Sequence, residues 1–416
     1  MIDALNKKLE EQLKLKDFKL NSLLEITNSI NSNESVDQLR QIFEFIMKEQ
    51  LGFEKFALFN KQKRWTLLAK AGIKRKVKEI DVTEDLLRFK DITMIESSPK
   101  EALNDFDVVI PVYHKEKPLA FLLIKGFEKL EKNKSEQSLS SSLVKELSFV
   151  QTLTNIIVVA IENKRMAKQS LKQERIKKEL EVASEMQKLL FPQDLPSDKR
   201  IDLAAIYKAR HEVGGDYYDF IPLNKNEFIV CIADVSGKGI SAAMLMANFQ
   251  ATIRTLLKYQ RFDLDYLVHE LNKKVMSSAK GEKFITFFIA QYNAKNRKLK
   301  YVNAGHNHPI LTNGKKAQFL DKGSIGLGML DELPFMEPDE VKIPPNSTLI
   351  LYTDGVVELE NKEEEAFETN RLIKLIHAFY PLKMEDLNNI IFSKLDEWRG
   401  SKPLVDDTAI LSCRIF

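Results

Sequence analysis

The stretch HEVGGDYYDFIPLNKNEFIVCIADVSGKGISAAMLM, residues 211–246, constrains the fold more than any other part of the chain. FIVCIA is an apolar run of strand length, and ISAAMLMANFQATIRTLL has the small and apolar spacing of a long helix. Asp234 stands between them, directly before SGKG, so a buried strand has to end in a carboxylate at a glycine turn. Asp216 follows Gly214–Gly215, where the backbone can bend in ways a side chain would forbid. A carboxylate in such a place is poorly solvated and needs a counter-charge. A divalent cation suits it, because hard cations take carboxylate oxygens.

The pattern recurs downstream. ILYTDGVVE puts Asp354 after an apolar run and before Gly355, and PLVDDTAILSCRIF puts Asp406–Asp407 just ahead of the last one. Four strand-end acidic sites of this kind are hard to explain as surface charge. Paired divalent ions about 3.5–4 Å apart, able to activate a shared water for in-line attack on a phosphoryl group, fit such a set. Around these sites, DLAAIYKA, YYDFIPL, EFIVCIAD, FITFFIAQY, KLKYVNAG, STLILYTD and TAILSCRIF read as strands. Two long helices follow Asp234 and two more, NRLIKLIHAF and MEDLNNIIFSKLDEW, precede the last strand. That grouping predicts an α/β/β/α layering over residues 192–416.

The first half has a different texture. Residues 1–19 read as a charged amphipathic helix with Ile2, Leu5, Leu9 and Leu13 on one face. Residues 20–165 read as two helices, an antiparallel sheet and a closing helix, an α+β sandwich. FEKFALFN and WTLLAKAG are strands split by KQKR, and DVVIPV and PLAFLLI flank an HKEKP turn. Residues 166–191 hold no Gly or Pro and carry Ile176, Leu180, Ala183, Gln187 and Leu190 on one helical face. A helix so continuous is a rod, and paired across a two-fold it makes a parallel coiled coil and a homodimer. Pro192 stops it.

Composition removes several classes. Lys and Arg number 63 against 60 Asp and Glu, and the net charge of +3 gives no argument for nucleic acid. No apolar run approaches the ~18 residues of a membrane span. MIDALNKKLEEQLKLKDFK is too charged for a signal peptide, so a cytoplasmic location is expected. Cys231 and Cys413 each lie in an apolar run and read as core residues.

Two resemblances follow from these residues. LLEITNSIN, LGFEKFALF, VVIPV and AIENKRM, in that order, resemble a GAF domain across residues 20–165, which implies sensing or dimerisation. There is no cysteine there for covalent bilin attachment, and His114 reads as a solvated turn histidine. MQKLLFPQ, VGGDYYDF, ADVSGKGISAAMLM, FITFF, YVNAGHNHP, LYTDGVVE and VDDTAIL resemble the bacterial SpoIIE/RsbU branch of the metal-dependent PPM (type 2C) Ser/Thr protein phosphatases, over residues 180–416. The resemblance implies two Mn²⁺ or Mg²⁺ ions held by Asp216, Asp234, Asp354 and Asp406. It adds the Val235 carbonyl as a further ligand and Asp407 in support. It also implies a phosphorylated STAS-domain (anti-anti-sigma-type) protein as substrate, with an unidentified ligand or signalling protein acting on the GAF-like part. The same chemistry on another phosphoprotein, and a non-catalytic scaffold on the same fold, are the alternatives. Ser236 stands where type 2C enzymes carry histidine, and Phe367–Glu368 where the bacterial branch often has Phe-Gly. His306 reads as a turn histidine holding backbone, Lys238 lacks the Walker spacing of a nucleotide loop, and Phe284, Phe287 and Phe288 read as sheet packing.

Overall fold

The computed structural model describes residues 2–73, 77, 79–95, 100–114, 116–126, 136–259 and 263–416. Two compact units divide at Glu174/Arg175.

In the first unit, α1 (Ile2–Asn31) and α2 (Val36–Phe45) precede five strands, β1 (Lys55–Lys61), β2 (Trp65–Ala71), β3 (Thr93–Met94), β4 (Val108–His114) and β5 (Lys117–Lys125). The stretches read as separate at residue 20 form one helix, since neither Gly nor Pro interrupts residues 2–31. Of the seam expected on it, Leu9 and Leu13 are half exposed, and the side chains of Ile2 and Leu5 lie outside the described residues. Ser35 starts α2 with a reciprocal cap: its hydroxyl accepts from Gln38 N and its own N–H donates to the Gln38 side chain. The sheet is antiparallel in the order β2-β1-β5-β4-β3. Strand alternation splits its core. Phe56 and Leu58 face α1, α2 and the helix α3 (Glu136–Lys188), while Ala57 and Phe59 face Ile80, Leu86 and Phe106. His114 ends β4, exposed, and Lys115 of the expected turn lies outside the described residues.

The 53-residue α3 contains both the closing helix of the first half and most of the stretch read as a linker. It ends at Lys188, and a turn through Leu190 leads to buried Phe191 before Pro192.

The second unit is built on two antiparallel sheets. One runs β13-β10-β9-β8-β7, formed by β7 (Tyr217–Asn224), β8 (Glu227–Val235), β9 (Ile285–Asn293), β10 (Lys298–Ala304) and β13 (Gly323–Ser324), with β14 (Asp339–Lys342) also on β10. Within it the short β10·β13 pair alone is parallel. The other runs β12-β11-β15-β16-β6, from β6 (Ile201–Lys208), β11 (Ile310–Thr312), β12 (Ala317–Phe319), β15 (Ser347–Tyr352) and β16 (Thr408–Ile415). Helices α4 (Ile240–Tyr259) and α5 (Leu264–Ala279) pack on the first sheet. The outer face of the second, with Ile350, Tyr352 and Ile410, is covered by α7 (Thr369–Ala378) and α8 (Met384–Arg399). A single turn, α6 (Asp354–Val357), follows β15. The core between the sheets joins Ile229, Cys231 and Ala233 to Leu349, Leu351, Leu411 and Cys413. Both cysteines are free and fully buried. Every long strand and helix read from the sequence is present, in the expected α/β/β/α order. Among the described residues no helix is long and apolar enough to cross a membrane.

Candidate active site

The register of the sheets decides where the acidic residues meet. Tyr217 pairs with Ala233 and Asp234 with Thr286, so Asp216, one residue before β7, falls beside Asp234 at the end of the first sheet. In the second sheet Tyr352 pairs with Ile410, and Thr353 continues the ladder through its N–H to the Ala409 carbonyl at 3.1 Å. That step puts Asp354 and Asp406–Asp407 at the end of the facing sheet. Thr353 ties the two ends together: its fully buried hydroxyl donates to Asp216 Oδ2 at 2.8 Å and accepts from Ala409 N at 2.9 Å.

Charge at this end is poorly compensated. Asp216 is 1% exposed, and burial, then the neighbouring Asp234 and Asp407, hold its carboxyl well above the usual range against the Thr353 hydrogen bond. Burial, then Asp354 and Asp406, push Asp234 up to about 7, and a side-chain hydrogen bond links it to Asp216. Burial, then Glu358 and Asp406, push Asp354 up to about 6. Asp407 is raised by burial although both its oxygens are occupied, accepting from Arg210 N at 2.8 Å and Gly215 N at 2.6 Å. Asp406 accepts from Asp407 N and pairs with Lys238.

Asp407 thereby holds the loop that carries Asp216, and Gly214 has to be glycine there. A Cβ at Gly214 would lie 1.9 Å from the Tyr207 hydroxyl and 2.3 Å from Asp407 Oδ2. The other side of that loop is held by Gln187, whose amide donates to Gly214 O at 2.7 Å and accepts from Gly214 N at 3.1 Å. Gln187 is thus turned into its own unit and is 7% exposed, away from the seam the sequence pattern assigned it. The apolar side chains left exposed along this part of α3 are Leu171, Ile176, Val182 and Met186. Beside Gln187 a cavity of about 540 Å³ is lined by Ser184, Phe191, Tyr207, His211 and Tyr218, among others.

Other expectations sort as follows. His306 is buried, its pKa pushed down to about 4 by burial, with Nδ1 2.9 Å from Thr286 Oγ1 and Nε2 3.1 Å from the Tyr352 carbonyl. Nε2 faces a carbonyl, so it carries the proton, and the ring braces strand residues rather than facing solvent. Ser236 accepts from Phe284 N through its hydroxyl, and its carbonyl accepts from Lys283 Nζ. Phe287 and Phe288 are core, but Phe284 is 37% exposed, because it sits where β9 meets the SGKG turn rather than inside the sheet. Sequence reading missed Thr353, Gln187 and Tyr207. Thr353 stands in YTDG next to an aspartate and Gln187 in MQKLL, but nothing local announces their partners.

Among the described residues no three acidic, His or Cys side chains converge closely enough to form a closed metal cage. Yet the donor chemistry fits hard divalent cations: oxygen ligands only, buried, mutually repelling, with ionisation disfavoured until positive charge arrives. The Tyr207 hydroxyl, buried and without a hydrogen-bond partner, adds an unmet polar group beside the same carboxylates.

Known proteins resemble this chain. The family described as "Stage II sporulation protein E (SpoIIE)" matches residues 224–416, a span that leaves Asp216 just outside. Phosphoserine phosphatase RsbU of Bacillus subtilis is 28% identical over 225 residues, 54% of this chain and 66% of its own length. Protein IcfG of Synechocystis sp. is 27% identical over 260 residues, 56% of this chain and 41% of its own. The chain thus spans 41% to 66% of the length of these two relatives. The SiaA-PP2C domain of Pseudomonas aeruginosa has a TM-score of 0.53 at 21% identity, over 59% of this chain and 99% of its own. Residues 224–416 thus resemble the SpoIIE family, and the C-terminal unit has the PP2C-like fold.

Proposed function

We propose that this chain is a metal-dependent protein serine/threonine phosphatase of the SpoIIE/RsbU type. The observation that carries the proposal is the meeting of Asp216, Asp234, Asp354 and Asp406 at one end of two facing sheets, the first three with raised pKa values. Asp216, Asp234, Asp354, Asp406 and the Val235 carbonyl would hold two Mn²⁺ or Mg²⁺ ions, with Asp407 keeping the loop in place. Such ions, when bound, supply Lewis-acid charge and make a nucleophile available from water at neutral pH. The chain's own part is positional. Thr353 orients Asp216, the Asp407 and Gln187 contacts fix the glycine loop, and the partial burial of the carboxylates limits competition from bulk water. Neither Ser236, engaged with Phe284, nor His306, engaged with Thr286 and Tyr352, is free as a proton donor to a leaving group.

The proposed substrate is a phosphorylated STAS-domain protein of a partner-switching pathway. The similarity to a phosphoserine phosphatase, RsbU, supports that choice. The first unit is proposed as a GAF-like sensory domain, a reading supported by its antiparallel sheet between helices and a looser face. The exposed Leu171, Val182, Met186 and Leu189 support a homodimer seam along the end of α3.

The test is hydrolysis of a phosphoserine protein with added Mn²⁺ or Mg²⁺. EDTA should abolish it and fresh metal restore it, and Asp234→Asn should lower the rate by orders of magnitude with an unchanged fold. Full activity in metal-free Asp234→Asn protein would overturn the proposal.

A further inference from the structure

Five aspartates crowd the strand ends, and two divalent ions offset the charge of only four. A phosphomonoester, which brings close to two further negative charges at neutral pH, therefore meets a net negative site unless a cation of the protein faces it. Among the described residues one ion pair reaches these carboxylates. Lys238 Nζ lies 2.7 Å from Asp406 Oδ2 and donates to the Val405 carbonyl at 2.9 Å. The two side chains are 40% and 33% exposed, so the pair stands at the open rim while Asp216 lies beneath.

This contact can be given up without stranding its partners. The Val405 carbonyl also accepts from Arg210 Nη1, and Asp406 Oδ1 keeps the Asp407 N–H at 2.9 Å. Asp406 is among the residues that would hold a metal ion, and Lys238 faces its Oδ2 while Oδ1 accepts from Asp407 N. Lysine suits such a change of partner, being a compact charge with three donors on a flexible stem. The neighbouring lysine does not: Lys283 Nζ is committed to the Ser236 carbonyl at 2.8 Å, and it closes the turn at Gly237, where φ is +84° and a Cβ would sit 2.5 Å from that nitrogen.

We propose that Lys238 is the phosphoryl-binding cation of this site. Its ammonium rests on Asp406 and Val405 in the free protein and turns to the non-bridging oxygens of a protein-bound phosphate when metal takes Asp406. The inference rests on the phosphatase reading for its substrate, but it concerns anion binding, which is measurable without turnover.

The experiment uses the full chain, loaded with Mn²⁺, as wild type, Lys238→Gln and Lys238→Arg. Binding of inorganic phosphate is followed by calorimetry, Mn²⁺ binding is titrated separately, and p-nitrophenyl phosphate hydrolysis is split into kcat and KM. Loss of one charge-assisted contact should weaken phosphate binding about tenfold to a hundredfold in Lys238→Gln, with KM rising more than kcat falls. Mn²⁺ affinity should be kept or tightened, since a competitor for Asp406 is gone, and Lys238→Arg should recover most of the phosphate affinity. Phosphate binding in Lys238→Gln within about twofold of wild type, well under the effect of one such contact, would overturn the proposal. So would a loss that only tracks lost Mn²⁺ binding, or a loaded wild type that binds no phosphate. The two readings fail separately. Phosphate binding that needs Lys238, without hydrolysis of any phosphomonoester, removes the phosphatase function alone; hydrolysis indifferent to Lys238 removes this assignment alone.

Discussion

Replacing Gln187 with alanine should disable the loop that carries Asp216 without touching a carboxylate. The amide makes two buried hydrogen bonds to one glycine, at 2.7 Å to its carbonyl and 3.1 Å from its N–H. In Gln187→Ala both Gly214 groups lose their partner, and each unmet buried group costs about 1–3 kcal/mol. The cavity of about 540 Å³ alongside gives water some access to the gap. For two groups that is about 2–6 kcal/mol, and with water at hand the total should lie in its lower part, about 2–4 kcal/mol. Part of it falls on the loop's competent conformation rather than on global unfolding, because the remaining anchor, Asp407, holds only the next residue, Gly215. At about 1.4 kcal/mol per factor of ten, the whole cost would lower kcat/KM by roughly 30-fold to a thousandfold, which is the ceiling; a half share gives about fivefold to 30-fold. The assay is p-nitrophenyl phosphate hydrolysis across a Mn²⁺ titration, with urea unfolding of the same samples as the control for global stability. A lowered urea midpoint with kcat/KM and Mn²⁺ affinity unchanged would show that the amide merely anchors the helix end, and the coupling to Asp216 would be refuted.

Metal binding should be proton-linked. Asp234 is raised to about 7 and Asp354 to about 6, both above their unfolded range. Their contribution to the stability of the metal-free protein is therefore full below about pH 4 and lost as pH rises through 6 and 7. Metals need the ionised form, so Mn²⁺ affinity should fall as pH drops below about 7, and calorimetry near pH 6.5 in buffers of different ionisation heat should show protons released; no release would refute those raised pKa values. Inserting one residue near Ser184 should turn Gln187 by ~100° relative to the upstream helix, whereas seven residues change the phase by only ~20°. Activity or its regulation should be lost in the first and largely kept in the second, and equal behaviour of the two would show the helix to be a tether.

What was legible in the sequence was local. Asp234 and Asp354 could be placed at strand ends because an apolar run, the aspartate and the glycine turn stand within a few residues of one another. The long strands and helices followed from period-two and helical spacing for the same reason. Thr353 bonds Asp216 across 137 positions, and Gln187 bonds Gly214 across 27, so the pairing belongs to the tertiary register and leaves no periodic trace. The helical stretch before Phe191 shows the limit most clearly. Periodicity identified a face containing Gln187, but it could not say whether that face meets another chain or its own domain. For Gln187 the N–H and carbonyl of Gly214 decide it, since both are bonded by its amide.

His306 and Thr353 explain how the acidic ends of two sheets stay together at all. Repulsion among buried carboxylates favours separating the sheets at this end. Against it, Thr353 joins Asp216 of the first sheet to Ala409 of the second with a neutral hydroxyl. The neutral ring of His306 joins Thr286, cross-strand partner of Asp234, to the Tyr352 carbonyl two residues before Asp354. Both braces are uncharged and buried, so neither satisfies the carboxylates electrostatically. They fix position while leaving the charge unmet. A site built in that order, with its carboxylates held by neutral contacts and their pKa values left high, carries its electrostatic cost in the free protein, which fits the proposed cation binding. Replacing these braces with cationic side chains should satisfy the carboxylates and weaken the proposed metal binding, which a Mn²⁺ titration would read.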